Sequence, residues 1–184
     1  MLLGWIIGGS VVFLVAVIFI YYYNKFVGLE NRINNSLAQI DVQLKKRADL
    51  VPALVKVVKG YAKHEKGIMA DVTKARAEML KAGNIASKVK AGDALQATLG
   101  RIFAIAENYP NLKANENFLH LQQELSAIED KVAYARQYYN DNVLSLENAS
   151  QKFPGVMFFK MYGRQKKDYL KIPAAAKEMP KIDL

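Results

Sequence analysis

Between residues 29 and 61 the apolar side chains recur in sevens. Leu37, Leu44, Val51 and Val58 mark one edge of a helical stripe, and Ile33, Ile40, Arg47, Leu54 and Tyr61 mark the other. The pattern predicts a long amphipathic helix reaching about Lys63, with one charge, Arg47, on its seam. Pro52 removes a backbone hydrogen bond inside this helix and crowds the carbonyl of residue 48, so a kink is expected there. The apolar register is nevertheless the same on both sides of the proline, which predicts one continuous helix. Ile68, Val72, Ala75 and Met79 then predict a second, shorter helix ending near Gly83. Residues 83–92 have glycine at both ends and little periodicity, and read as a connection. Leu95, Leu99, Ile102, Phe103 and Ala106 predict a third helix, stopped at Tyr109 by Pro110, with NLKA as the link that follows. From an N-cap at Asn115, the positions Phe118, Leu125, Val132, Tyr139 and Leu146, with Leu121, Ile128, Ala135, Asn142 and Ala149, predict a fourth helix that Phe153-Pro154-Gly155 ends. No segment alternates with period two, so no strand is expected.

Ahead of these helices, Leu2 to Tyr23 carries no charge, and its roughly 22 positions span about 33 Å, close to the thickness of a bilayer's hydrocarbon core. The expected fold class is therefore all-α: an N-terminal transmembrane helix followed by an antiparallel four-helix bundle with long first and fourth helices. The expected division is 1–24 as anchor, 25–152 as bundle and 153–184 as an aromatic and basic segment with an irregular tail. MLLGWII has neither a basic leader nor a small-residue cleavage site, so the anchor is read as uncleaved. Trp5 and Tyr21 to Tyr23 suit the two interfaces, while Lys25, Arg32, Lys45, Lys46 and Arg47 all follow the span. That asymmetry places the N-terminus outside and the bundle in the cytoplasm. Gly4 and Gly8 form a GxxxG pair through which a second copy of the helix could approach.

Composition narrows the chemistry. Lys and Arg number 26 against 17 Asp and Glu, a net charge of +9, which favours anionic surroundings or a simply solvated surface. There is no cysteine, so disulfides, thiolate metal sites and cysteine nucleophiles are excluded. HExxH, GxSxG and GxxxxGK[ST] are all missing, so no enzyme activity, cofactor or metal is expected. His64 and His120 cannot make a three-histidine site and read as surface residues, and the one Glu-x-x-His-like spacing has Asn117 where glutamate is required. The basic runs at Lys45 to Arg47 and Arg164 to Lys167 come without a nucleic-acid recognition signature, so membrane lipid is the expected partner and nucleic acid is not.

Four charged residues lie on or beside seams: Asp41, Arg47, Glu129 and Arg136. A buried charge is costly unless paired, so these should satisfy one another. With antiparallel first and fourth helices of equal rise, positions face each other when their numbers sum to roughly 178. This count predicts the pairs Arg47 with Glu129 and Asp41 with Arg136. Tyr109, Pro110, Asn111, Asn115 and Asn117 form either a recognition loop or a set of caps and turns. By the same count the fourth helix returns almost to the bilayer, delivering Val156, Met157, Phe158, Phe159, Met161 and Tyr162 there, followed by Arg164, Lys166 and Lys167. This segment either lies in the headgroup region or plugs the open end of the bundle.

The blocks IDVQLKKRADLVPALVKVVKGYAKHE (40–65), ENYPNLKANENFLHLQQEL (107–125), ARQYYNDNV (135–143) and FPGVMF (153–158) resemble the LemA family of bacterial membrane proteins. The resemblance covers nearly the whole chain. It implies a helical bundle behind one membrane helix, in a family without an established catalytic activity. Some relatives are associated with bacterial organelle membranes, and members are often encoded beside a membrane metalloprotease of the HtpX type, which makes such a protease a partner to consider. The function expected is a single-pass membrane-anchored scaffold or adaptor, with homo-oligomer formation an open question. The alternative is a membrane-organising protein that acts on lipid through its C-terminal aromatic and basic segment.

Overall fold

A computed structural model describes residues 1–171. Six helices lie among them: α1 (Leu2–Tyr61), α2 (Lys66–Lys81), α3 (Ile85–Ala106), α4 (Pro110–Lys113), α5 (Glu116–Gln151) and α6 (Gly155–Met161). The described residues contain no strand. The chain forms two compact units whose boundaries fall inside α1 and α5: Met1–Ser36 with Gln137–Leu170, and Leu37–Arg136. Residues 172–184, the end of the tail expected to be irregular, lie outside the described residues.

The stretch expected as anchor and the first bundle helix are one helix of 60 residues. Gly28 is the only helix breaker between the apolar stretch and Pro52, and one glycine costs about 1 kcal/mol, too little to interrupt a helix with packing on either side of it. No side chain from Leu2 to Val17 is buried against the rest of the protein. Among the described residues, α1 alone is long and apolar enough to cross a membrane.

α1 also runs unbroken through Pro52, and a side chain from α2 shows how. Proline has no N–H to give the carbonyl four residues earlier, which leaves Ala48 O without its helical donor. The Arg76 guanidinium fills the gap, its Nε donating to Ala48 O at 2.7 Å. Arg76→Met is therefore expected to lower stability by about 1–3 kcal/mol, because it orphans a carbonyl on a fully buried residue. In a Pro52→Ala background the helix recovers its own donor, and the same substitution should cost much less. Equal losses in the two backgrounds, read from unfolding midpoints, would contradict this role for Arg76.

Residues 83–92 are not the connection that their glycines suggest. α3 begins at Ile85, where Asn84 closes a capping box: its Oδ1 accepts from Ser87 N at 2.8 Å while Ser87 Oγ accepts from Asn84 N at 3.3 Å. Val89 and Gly92 are buried and extend the stripe of Leu95, Leu99 and Ile102 backwards. The period was hidden because glycine occupies an inward position. A Cβ at Gly92 would stand 2.6 Å from Leu44 Cδ2, so this residue lets α3 approach α1 closely.

In the unit Leu37–Arg136, α1 and α5 run antiparallel and the α2–α3 hairpin packs on them. Ile40, Leu44, Val51, Leu54 and Val58 of α1 and Phe118, Leu125, Ile128 and Val132 of α5 are all buried in the core. Phe103 of α3 packs edge-on against Phe118, with ring centroids 5.9 Å apart. Tyr61, expected on the seam, is exposed instead, because α1 ends there and Val58 and Ala62 close the stripe. The expected NLKA link contains a turn of helix, α4, and its Leu112 is fully buried. In the unit Met1–Ser36 with Gln137–Leu170, Phe26, Leu29 and Ile33 of α1 and Tyr139, Val143, Leu146 and Ala149 of α5 are buried. Buried Ser36, Asn142 and Ser150 donate to carbonyls of their own helices, so this seam stays satisfied.

Candidate functional site

Charges bind the three long helices of the Leu37–Arg136 unit to one another. Arg47 on α1 sits at the centre with its side chain 1% exposed, one guanidinium nitrogen on Glu129 of α5 and another donating to Gly92 O of α3 at 3.2 Å. Arg136 of α5 donates to Asp93 Oδ1 of α3 at 2.5 Å, and Lys88 of α3 to Asp41 Oδ1 of α1 at 2.6 Å. Each pair of helices is thus bridged by one ion pair, and α1 and α3 also by the Arg47 hydrogen bond to Gly92 O. Burial pushes the Arg47 guanidinium down from its ordinary pKa, and Arg136 adds to this, while Glu129 and Asp93 pull it back up.

The expected pair of Asp41 with Arg136 does not form. The antiparallel count brings those positions level, but it describes two helices, and α3 runs past both with Lys88 and Asp93. Each residue takes the nearer partner that α3 offers. Neither partner was legible beforehand, because Lys88 lies in the stretch read as a connection and Asp93 just beyond it.

Around α4, Tyr109 Oη donates to Glu65 Oε1 at 3.1 Å, and that hydrogen bond raises the Tyr109 pKa. Asn115 does two jobs: its Oδ1 caps α5 by accepting from Phe118 N at 3.0 Å, and its Nδ2 donates to Tyr61 Oη at 3.0 Å. Pro110 occupies the first turn of α4. Asn111 and Asn117 are exposed and border a shallow hollow with Tyr61 and Glu116.

In the other unit, α6 divides the C-terminal aromatic segment by face. Phe159 is buried against Phe26, with centroids 5.4 Å apart, and Phe158 stacks on Tyr22 at 5.2 Å. Tyr162 packs edge-on to Phe19 at 5.2 Å and its hydroxyl donates to Phe19 O at 2.9 Å. Val156 is half-buried. Phe153, Met157 and Met161, four residues apart, stay exposed at 81%, 62% and 59%. Arg164 is committed to Glu30 and lies over the rings of Tyr23 and Tyr162, whereas Lys166 and Lys167 are exposed. From Arg164 to Lys171 the chain has no regular structure yet is held: Tyr139 Oη donates to Asp168 O at 2.9 Å, and Asn140 exchanges two hydrogen bonds with the backbone of Leu170. Among the described residues no three His, Cys, Asp or Glu side chains converge as metal ligands, and His64 and His120 are both exposed.

The LemA family model matches residues 36–184. Magnetosome protein MamQ of Magnetospirillum gryphiswaldense is 26% identical over 158 residues, covering 72% of this chain and 58% of its own length. Magnetosome proteins MamQ 1 and MamQ 2 of Paramagnetospirillum magneticum are each 24% identical over 144 residues, covering 64% of this chain and 53% of their own. The chain thus spans a little over half the length of the curated relatives it matches. The family match takes in α2 to α6 and the part of α1 that carries the Arg47 seam, and the chain belongs to the LemA family.

Proposed function

We propose that the protein is a single-pass membrane-anchored scaffold or adaptor, with its N-terminus outside and its bundle in the cytoplasm of a bacterium. The observation that carries this reading is α1 itself, whose N-terminal part is a candidate span and whose later turns supply core residues to the folded unit Leu37–Arg136. A helix used in this way ties a packed domain to a membrane through backbone hydrogen bonds, and a partner bound by that domain would be held at the membrane with it. The orientation rests on the cations that follow the span. The partner is a protein recognised around Asn111 and Asn117, and a membrane metalloprotease of the HtpX type is one to look for. The family name carries no catalytic assignment, and the buried charges described above are taken up by pairing between helices.

The experiment is affinity purification of the full chain from native membranes, set beside a variant carrying Asn111→Ala and Asn117→Ala. Both positions are exposed, so the fold should survive. The proposal expects one or more proteins to be recovered with the wild type and lost with the variant. Identical recovery from both would remove the loop from the account.

A second reading, action on lipid through the C-terminal segment, is favoured by exposed Met157 and Met161 on α6 and exposed Phe153 in the turn before it, beside the packing of Phe158 and Tyr162 on Tyr22 and Phe19 at the end of the candidate span. Replacing all three by serine in the full chain should leave the melting temperature nearly unchanged and weaken binding of this segment to vesicle lipid, read as crosslinking to a photoreactive headgroup. A large loss of thermal stability with binding intact would count against lipid contact by this face.

A further inference from the structure

One cleft in the unit Met1–Ser36 with Gln137–Leu170 is not accounted for by a scaffold. It has a volume of about 590 Å³ and lies between two parallel rows of side chains, each spaced three, four and seven along its helix. Lys25, Gly28, Leu29 and Arg32 come from α1, Ser145, Asn148 and Ala149 from α5, and Lys152 from the residue just past its end. Tyr22 and Phe153 close one end. Lys25 stands level with Lys152, and Arg32 with Ser145, since facing numbers sum to roughly 177 along the antiparallel pair.

The lining holds three cations and no carboxylate. None of the three is ion-paired with a described residue. That is unlike Arg47, Arg136 and Arg164 of the same chain, each of which has an acidic partner. Lys25 lies 5.7 Å from the centroids of both Tyr21 and Tyr22, rings that end the apolar span. Gly28 contributes open space: a Cβ there would meet nothing within 4 Å. The volume falls within the range of about 300–1,000 Å³ usual for small-ligand sites.

Position along α1 selects the ligand. At 1.5 Å per residue, Lys25 lies about 4.5 Å beyond Tyr22, within a headgroup layer about 5–8 Å thick, and Arg32 lies about 15 Å beyond it, at the outer mouth. We propose that this cleft is a headgroup site for an anionic phospholipid. The lipid phosphate sits between Lys25 and Lys152, Asn24 and Asn148 offer amide donors to the headgroup hydroxyls, and Tyr22 and Phe153 meet the glycerol end. The inference rests on membrane insertion of α1, which flotation of the full chain with vesicles reads separately.

The test uses the full chain in phosphatidylcholine vesicles containing a small share of spin-labelled phosphatidylglycerol or, in parallel, spin-labelled phosphatidylcholine. The immobilised fraction of each label measures its preference for the protein surface. The wild type should prefer the anionic label by at least about fivefold, roughly the factor that one lysine or arginine contributes near a charged membrane. Lys25→Gln with Arg32→Gln and Lys152→Gln should abolish the preference. Gly28→Leu should reduce it as well, by filling the cleft with no change of charge and with a better helix former. Lys160→Gln with Lys166→Gln and Lys167→Gln removes the same charge from exposed positions that do not line the cleft, and should leave most of the preference in place. Millimolar inorganic phosphate should not displace the lipid. Equal losses in the two triple variants would reduce the effect to diffuse attraction, an inert Gly28→Leu would place the lipid elsewhere, and displacement by phosphate would make this a soluble-anion site. Each of these overturns the proposal.

Discussion

Glu129→Ala should destabilise the bundle by up to about 3–5 kcal/mol, the range for removing one partner of a buried ion pair, because it strips the buried Arg47 of its counter-charge although Glu129 itself is 34% exposed. The Arg47 side chain is 1% exposed, and once Glu129 is gone its remaining partner among the described residues is the Gly92 carbonyl. Arg47→Met should cost less, because it removes the charge along with its need for a partner and keeps most of the side-chain volume. The double substitution should therefore be more stable than Glu129→Ala alone. Asp41→Ala makes the contrast: its pair with Lys88 is partly exposed on both sides, and losing it should cost no more than about 1 kcal/mol. Unfolding of the full chain in detergent, followed by helical circular dichroism, orders the four variants. Additive losses in the double substitution would show that Arg47 and Glu129 do not depend on each other.

The second large effect is expected at Gly155, the first residue of α6. A Cβ here would stand 2.1 Å from the carbonyl oxygen of Ala149 and 3.1 Å from Tyr22 Cε1. The first contact is with backbone, which cannot rotate aside as a side chain can. Gly155→Ala should thus force α6 away from α1 and release the packing of Phe159 on Phe26, at a cost of about 1–3 kcal/mol or more. Hydrogen exchange tests it directly, since the amides of residues 156–163 should lose protection while those in the middle of α5 keep theirs. Unchanged protection across α6 would mean that the contact relaxes within the turn.

Where the chain was legible, one physical rule dominated its position. Heptads in α1 and α5 marked the two long helices because their apolar faces are long and regular, and the antiparallel count brought Arg47 level with the Glu129 it pairs with. The count failed for Asp41 and Arg136 because it had no place for a third helix, and the missing partners, Lys88 and Asp93, lie on α3. α3 itself was shortened because Gly92, read as a breaker, is an inward-facing position emptied for Leu44. Arg76 gave no signal, since its role depends on a carbonyl freed by a proline on another helix. The C-terminal aromatics were set between two readings because periodicity is short in a seven-residue helix. In the structure Phe158, Phe159 and Tyr162 pack inward while Met157 and Met161 do not. Lys25, Arg32 and Lys152 were individually visible as cations, but their convergence needed the level relation between α1 and α5.

The orientation of α1 carries the whole account, and the absence of cysteine makes it directly measurable. Single substitutions Leu3→Cys and Asn111→Cys give two thiols without background, one at the start of α1 and one in α4, both at exposed positions. In intact cells a thiol reagent that cannot cross the inner membrane should label Leu3→Cys and leave Asn111→Cys unmodified until the cells are broken. Labelling of Asn111→Cys in intact cells would place the bundle outside and contradict the membrane-anchored cytoplasmic scaffold.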